Sequence, residues 1–343
     1  MHLRHFSRAM LHGIHSIFPP PNITGHQGED PISQKKLHEG EGTWSYQKEI
    51  LGWLVDGADF TIQLMPGKCD KILEQIKSVL KMKYIPLLTF QELAGKLQHA
   101  SFGIPGGKGL FSPIYLALKK ASNKNTVQMT KGLQQILQDW RSMIQFFRDN
   151  ATPVSLLVSD FPNYVNFTDA CGLGAGGVIT PGLDPSRYWV WQEEWPDDIK
   201  ARLVTADNPD GDLTINDLEL AGMVLGWLGL EMVIQDLYCK HVAMFCDNTS
   251  AVAWAFKGST STSITAGRLL RLLSLRQRTR QASSLIPLHL AGKTNEMADA
   301  ASRAFKNGEI FHIQHDLLTY FNSTFPIQNG SWTELKIHTS LVS

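Results

Sequence analysis

No run of about 18 consecutive apolar residues occurs in the 343-residue chain, so the sequence offers no membrane-spanning helix and no membrane partner. Cysteine is scarce. The four present, Cys69, Cys171, Cys239 and Cys246, form no C-x-x-C pair and have no histidine at zinc-ligand spacing. A disulfide framework and a structural zinc site are therefore excluded, and reduced, buried thiols are expected. A net charge is also missing, since 32 Lys and Arg balance 32 Asp and Glu. The opening MHLRHFSRAMLHGIHSIFPPP has no apolar core of signal-peptide length, so an intracellular protein, cytoplasmic or nuclear, is expected rather than a secreted one. At 43% hydrophobic the chain is too apolar to be disordered and long enough to bury a sizeable core.

The zero net charge is a cancellation. Residues 1–150 carry 18 basic and 12 acidic side chains, and residues 151–343 carry 14 and 20. Such asymmetry separates a half suited to a polyanion from an acidic half.

Residues 1–44 read as an irregular N-terminal segment rich in proline and glycine. EILGWLVD (49–56) and DFTIQLM (59–65) read as a β-hairpin turning at Asp56-Gly57. From Pro66 to about Asn150 the apolar spacing is helical, with a capping box expected at Thr89 and Glu92 and a break at GIPGGKG (103–109). Residues 45–150 are thus a hairpin plus a mainly helical module. A composition change near 151–162 opens a second module, 155–305. Its expected order is three antiparallel strands (VNFT, GGVIT and RYWVWQ, the last two separated by Pro181, Gly182 and Pro185), a long apolar helix over 215–235, the strand HVAMFC, two helices within 248–283, the strand LIPLHL and the helix NEMADAASRAF. Residues 306–343 form a tail without an assigned role.

Gly172, Gly174 and Gly177 satisfy G-x-G-x-x-G, which raises a dinucleotide-binding oxidoreductase. That fingerprint requires the last glycine to open a helix. Here Val178, Ile179, Thr180 and Pro181 follow, which is strand chemistry, so the glycines read instead as turn and close-packing residues of a hairpin.

The carboxylates are more informative. Asp169 ends VNFT and Asp247 ends HVAMFC, and side chains at the carboxyl ends of strands converge where open sheets bind ligands. Glu219 lies in the apolar helix, and Asp299 sits beside Ala298, Ala300 and Ala301 in the last helix. A carboxylate on a face that packs against a sheet is costly unless a cation compensates it. Taken singly, each has a plain reading as a turn former or a solvated helix position. Jointly the four can build a site for hard cations such as Mg²⁺.

FTDACGLGAGGVI, INDLELAG, CDNTSAVAWA and LAGKTNEMADAASR resemble the successive acidic motifs of ribonuclease H domains in retrotransposon reverse transcriptases, over about 160–305. EILGWLVDG through LTFQELAGKLQHASFGIPGGKGLFSPIYLAL is similar to the thumb and connection region that precedes them. The resemblance implies an α/β (overall α+β) fold with a ribonuclease H-like mixed five-stranded sheet, flanking helices, and a preceding hairpin and helical module. It implies Asp169, Glu219, Asp247 and Asp299 as catalytic, metal-binding residues holding two Mg²⁺ ions, with Mn²⁺ as a substitute, and endonucleolytic cleavage of the RNA strand of an RNA–DNA hybrid.

Gly172, Asn248 and Thr249 are candidates for 2′-hydroxyl contacts, with Asn248 equally readable as a helix cap. Lys293 is a candidate phosphate contact, standing where relatives carry a histidine, and His289 reads as a structural residue inside its apolar strand. GRLLRLLSLRQRTRQ places Arg268, Arg271, Arg276, Arg278 and Arg280 on one stretch, read either as a solvated face or as a phosphate-binding row, with Arg268 and Arg271 as the substrate-binding candidates. Lys71, Lys77, Lys81, Lys83, Lys119, Lys120, Lys124 and Lys131 could follow a duplex. A polymerase Y-x-D-D hairpin is absent, so DNA synthesis by this chain alone is not expected, and palm and fingers portions would come from another chain. The alternative function is a catalytically silent nucleic-acid-binding remnant. An integrase-like nuclease is disfavoured by Asp299 within A-D-x-x-S-R.

Overall fold

The computed structural model describes residues 45–158, 161–182, 187–282, 285–303, 316–328 and 330–337, plus isolated positions 12, 16, 33 and 35. The expectations for residues 1–44, for the turn at Pro185 and for the end of the last helix at Ala304 and Phe305 lie largely or wholly outside these.

The first module opens with a small antiparallel sheet, β1 (Gln47–Ile50), β2 (Trp53–Asp56) and β3 (Thr61–Leu64). EILGWLVD is therefore itself a hairpin rather than one strand. The reason is a two-residue turn in which Leu51 and Gly52 both have positive φ, 52° and 83°, the conformation that matches strand twist. The expected turn beyond Asp56 also forms, and the Asp56 carboxylate accepts hydrogen bonds from the amides of Ala58 and Asp59.

Three of the expected helices follow as α1 (Pro66–Val79), whose proline occupies the first turn, α2 (Leu87–Ala100) and α3 (Ser112–Lys120). The short pair β4 (Tyr84–Pro86) and β5 (Thr126–Gln128) brackets α2 and α3. This pairing fixes Pro86 as the residue before α2, so Thr89 falls inside the first turn and the expected capping box does not form. The long amphipathic α4 (Lys131–Asp149) is capped by Thr130, which accepts from the Leu133 amide at 3.2 Å. After it, β6 (Thr152–Pro153) returns to pair with β3. One core joins these elements, with Ile76, Leu97, Ile114, Leu137 and Trp140 fully buried.

The second module is a mixed sheet. β7 (Tyr164–Ala170), β8 (Gly174–Pro181) and β9 (Arg187–Glu194) form an antiparallel meander. After the one-turn α5 (Asp197–Lys200) and the long α6 (Ile215–Val233), β10 (Val242–Cys246) lies parallel to β7. α7 (Thr249–Lys257) and α8 (Ile264–Arg280) lead to β11 (Ile286–His289), parallel to β10, and α9 (Glu296–Arg303) closes the series. A sixth strand extends the expected five. After α10 (Leu317–Thr324), β12 (Ser331–Leu335) runs parallel to β9 and gives the order β11-β10-β7-β8-β9-β12. Trp332 explains the attachment, since it is buried with Phe321 against Val178 and Val190.

Alternation along the strands assigns the two faces. Ala175, Ile179 and Trp191 pack toward α6, whereas Val178 and Val190 pack with Ala300 and Ala301 of α9. The fingerprint glycines do form a hairpin. Gly176 stands opposite Asp169 on the α9 side, where a Cβ would come within 2.3 Å of the Ala301 and Ser302 backbone. No helix among the described residues is long and apolar enough to cross a membrane.

Candidate metal centre

Asp169 and Asp247 stand at the carboxyl ends of neighbouring strands β7 and β10, and Glu219 reaches the same end from the first turns of α6. A Thr214–Asp217 capping box fixes the start of α6. Glu219, Cys246 and Asp247 offer ligand atoms that all lie within 4.8 Å of one another. Asp169 is close enough to raise the pKa of Glu219 through charge repulsion, and Asp247 and Asp299 act on Asp169 in the same way.

Burial and repulsion dominate the electrostatics. Asp169 is 5% exposed and Glu219 is 4% exposed. Desolvation, followed by the charge of Asp169 and then of Asp247, pushes Glu219 up to about 9. Desolvation raises Asp169 to about 6, opposed by a hydrogen bond from the Ser302 hydroxyl. The Cys246 thiol donates to Glu219 Oε2 at 3.6 Å, and burial beside that carboxylate pushes its pKa far up. Cys246 thus stays a thiol and the usable donors are carboxylate oxygens, a set that fits a hard divalent cation. The Gly292 loop also approaches Asp247. Gly292 comes so close that a Cβ there would lie 2.9 Å from Asp247 Oδ2.

Asp299 is not among the three residues whose ligand atoms meet within 4.8 Å, although its charge acts on Asp169. It is about one-third exposed on α9 and pairs with Arg303 at 2.6 Å. Asn248 caps α7, accepting from the Ala251 amide at 3.0 Å, while its Nδ2 donates to Asn216 Oδ1 at 2.8 Å. The helix-cap reading of Asn248 is therefore met, and its amide nitrogen is held by Asn216. Thr249 and Gly172 are exposed beside the carboxylates, and Lys293 is exposed in the helical turn Gly292–Thr294.

Four of the five arginines in the row are engaged within the fold. Arg271 pairs with Asp139 of α4 at 2.7 Å, Arg276 and Arg280 both pair with the buried Glu231, and Arg278 stacks over Phe146 and donates to the Ser142 carbonyl. These groups fasten α8 to its neighbours. Arg268 alone of the five has no ion pair or ring contact among the described residues. His289, read as structural, is held to backbone. It is exposed at the end of β11, where its Nε2 lies 3.1 Å from the Asp247 carbonyl oxygen.

Sequence reasoning assigned no role to Ser302, Cys246, Asn216 or Gly292. Only Ser302 carried a signal, three residues after Asp299 on the same helix. The others acquire their roles through contacts across the fold.

No protein-family model and no curated protein matches the chain. Among solved structures, LC11-RNase H1 in complex with RNA/DNA hybrid is 18% identical with a TM-score of 0.30, covering 40% of this chain and 92% of that one. The foamy viral protease-reverse transcriptase in complex with RNA/DNA hybrid is 11% identical with a TM-score of 0.31, covering 82% of this chain and 37% of that one. Its complex with dsDNA is 12% identical with a TM-score of 0.30, covering 72% of this chain and 45% of that one. The chain spans less than half of the foamy viral chains. The second module is a mixed α/β sheet with flanking helices, as its strand order and helix placement show.

Proposed function

We propose that the chain is a nuclease that hydrolyses the RNA strand of RNA–DNA hybrids with two Mg²⁺ ions, Mn²⁺ serving as a substitute, and that it is the ribonuclease H part of a retrotransposon reverse transcriptase. The observation that carries this reading is the meeting of Asp169, Glu219 and Asp247 at one end of the sheet. Two of these carboxyls are buried, and desolvation with mutual repulsion raises the pKa of both, a cost that a bound cation would relieve.

The four carboxylates, with Asp299 joining from α9, would hold the ions. When bound, these supply Lewis-acid polarisation of a phosphodiester and a nucleophilic water at neutral pH. The remaining roles belong to the chain's own groups. Ser302 orients Asp169, and Cys246 and the Ala170 amide orient Glu219. The exposed Thr249 hydroxyl, the Gly172 backbone and the Asn216–Asn248 amide pair offer polar groups for 2′-hydroxyls, which distinguish the RNA strand. Lys293 offers a charge for a phosphate. The palm and fingers portions of a polymerase would come from another chain.

One observation favours the second reading, a catalytically silent nucleic-acid-binding remnant: Arg303 already occupies the Asp299 carboxylate. Strand selectivity tests the proposal. With Mg²⁺ the chain should fragment the labelled RNA of an RNA–DNA hybrid and spare the DNA strand and an all-DNA duplex of the same sequence. Equal cutting of both strands would contradict it.

A further inference from the structure

A second concave site lies between the two modules and shares no lining residue with the carboxylates. It has a volume of about 820 Å³ and is walled by α3, β5 and the start of α4 on one side, and by residues 260–264 and the start of α8 on the other. The walls are fixed. The Thr260 amide donates to Ser112 Oγ at 3.0 Å in a buried contact, and Arg271 and Asp139 clamp α8 to α4.

The lining is unusual in its charge. Lys120, Lys124, Lys131 and Arg268 stand around the opening with no ion pair among the described residues, and no Asp or Glu lines the cleft. In a chain with equal numbers of acidic and basic residues, this concentrates one sign on a single concavity. The N-terminus of α4 adds to it. Thr130 caps the Leu133 amide, leaving the amides of Lys131 and Gly132 without intrahelical acceptors, and Gly132 carries no side chain and is exposed. Beneath the rim the floor is apolar, formed by Leu116, Val127, Leu133 and Ile136. The volume falls within the roughly 300–1,000 Å³ of small-molecule sites.

We propose that this cleft binds an organic phosphate of nucleotide size, with its ring on the floor near Leu116 and Ile136 and its phosphate held by Lys124, Lys131, Arg268 and the first amides of α4. A purely apolar ligand would leave the cations unanswered, and a bare phosphate would leave the floor unused.

The test is titration calorimetry of the full chain in low-salt, metal-free buffer with a nucleoside monophosphate, with inorganic phosphate and with a 5′-phosphorylated tetranucleotide. Without metal, failure of the cleft and failure of the carboxylate reading are separable. The nucleotide should bind one to one and more tightly than inorganic phosphate. Lys131→Glu should weaken binding about tenfold or more, because it reverses a phosphate contact. The new carboxylate suits a helix N-terminus, so the fold should hold. Lys336→Glu, exposed and outside the cleft, should bind as the parent does. Competition by the tetranucleotide would identify the ligand as a strand end, and its failure to compete would identify a free nucleotide. No binding at millimolar nucleotide, equal affinity for inorganic phosphate, or unchanged affinity in both Lys131→Glu and Arg268→Glu would overturn the proposal.

Discussion

The hydroxyl of Ser302 donates a hydrogen bond to Oδ2 of Asp169, joining α9 to the end of β7, the first strand of the sheet module. That contact exists because Gly176, opposite Asp169, has no side chain to hold α9 away.

Gly176→Ala should therefore disturb stability and site together. Its Cβ would meet backbone at 2.3 Å, which a flexible side chain cannot relieve. A loss of about 2–4 kcal/mol in urea unfolding is expected, as for overpacked or strained core sites. Gly172→Ala, whose Cβ would meet only Leu203 at 3.8 Å, should cost far less.

The tail holds the outer edge of the sheet. Trp332 is 4% exposed, stacks edge-on against Phe321 with ring centroids 4.9 Å apart, and donates from Nε1 to the Phe325 carbonyl. Trp332→Ala should lower stability by about 3–5 kcal/mol, the usual range for a buried large aromatic. A chain ending after residue 305 should aggregate more readily, because it leaves β9 as an unpaired edge. Light scattering during thermal unfolding checks the second outcome.

Across the module boundary, Arg271 and Asp139 are both mostly buried. A double-mutant cycle with Arg271→Ala and Asp139→Ala should give a coupling of about 1 kcal/mol, toward the upper end of exposed pairs. A coupling near zero would mean that packing of α8 on the Gly107–Leu110 turn holds the modules without it.

The raised carboxyls set the pH dependence of the metal-free protein. Asp169 and Glu219 bind protons more tightly folded than unfolded, so their contribution to stability is fully present below about pH 4. It is lost as pH rises, through about 6 for Asp169 and about 9 for Glu219. Melting temperature without metal should fall over this interval, fall less in Glu219→Gln, and recover on adding Mg²⁺ most strongly at the alkaline end.

Much of this arrangement was legible in the sequence. The apolar run over 215–233 and the β-branched strand segments specify their own elements, and the carboxylates stood out because they follow or interrupt apolar segments. What stayed hidden depends on distant partners. The arginine row could not reveal that Asp139 and Glu231 wait across the fold, nor could LIPLHL show that His289 emerges at a strand end beside Asp247. The glycines at 103–109 read as a break. They are also a seat for α8, since a Cβ on Gly109 would come within 2.7 Å of the Leu270 carbonyl oxygen. The tail gave no periodic signal because β12 is short and gains its stability from the edge it joins.

The most direct test of the proposed activity is cleavage of an RNA-labelled RNA–DNA hybrid by the parent and by Asp169→Asn across a range of Mg²⁺ concentrations. The parent should release short RNA fragments. The variant should be slower by about a hundredfold or more, since removing a ligand should cost at least as much as the 10–100-fold typical of groups that only orient one. A parent that leaves the hybrid uncut at every Mg²⁺ concentration, or a variant that cuts as fast as the parent, would contradict the account.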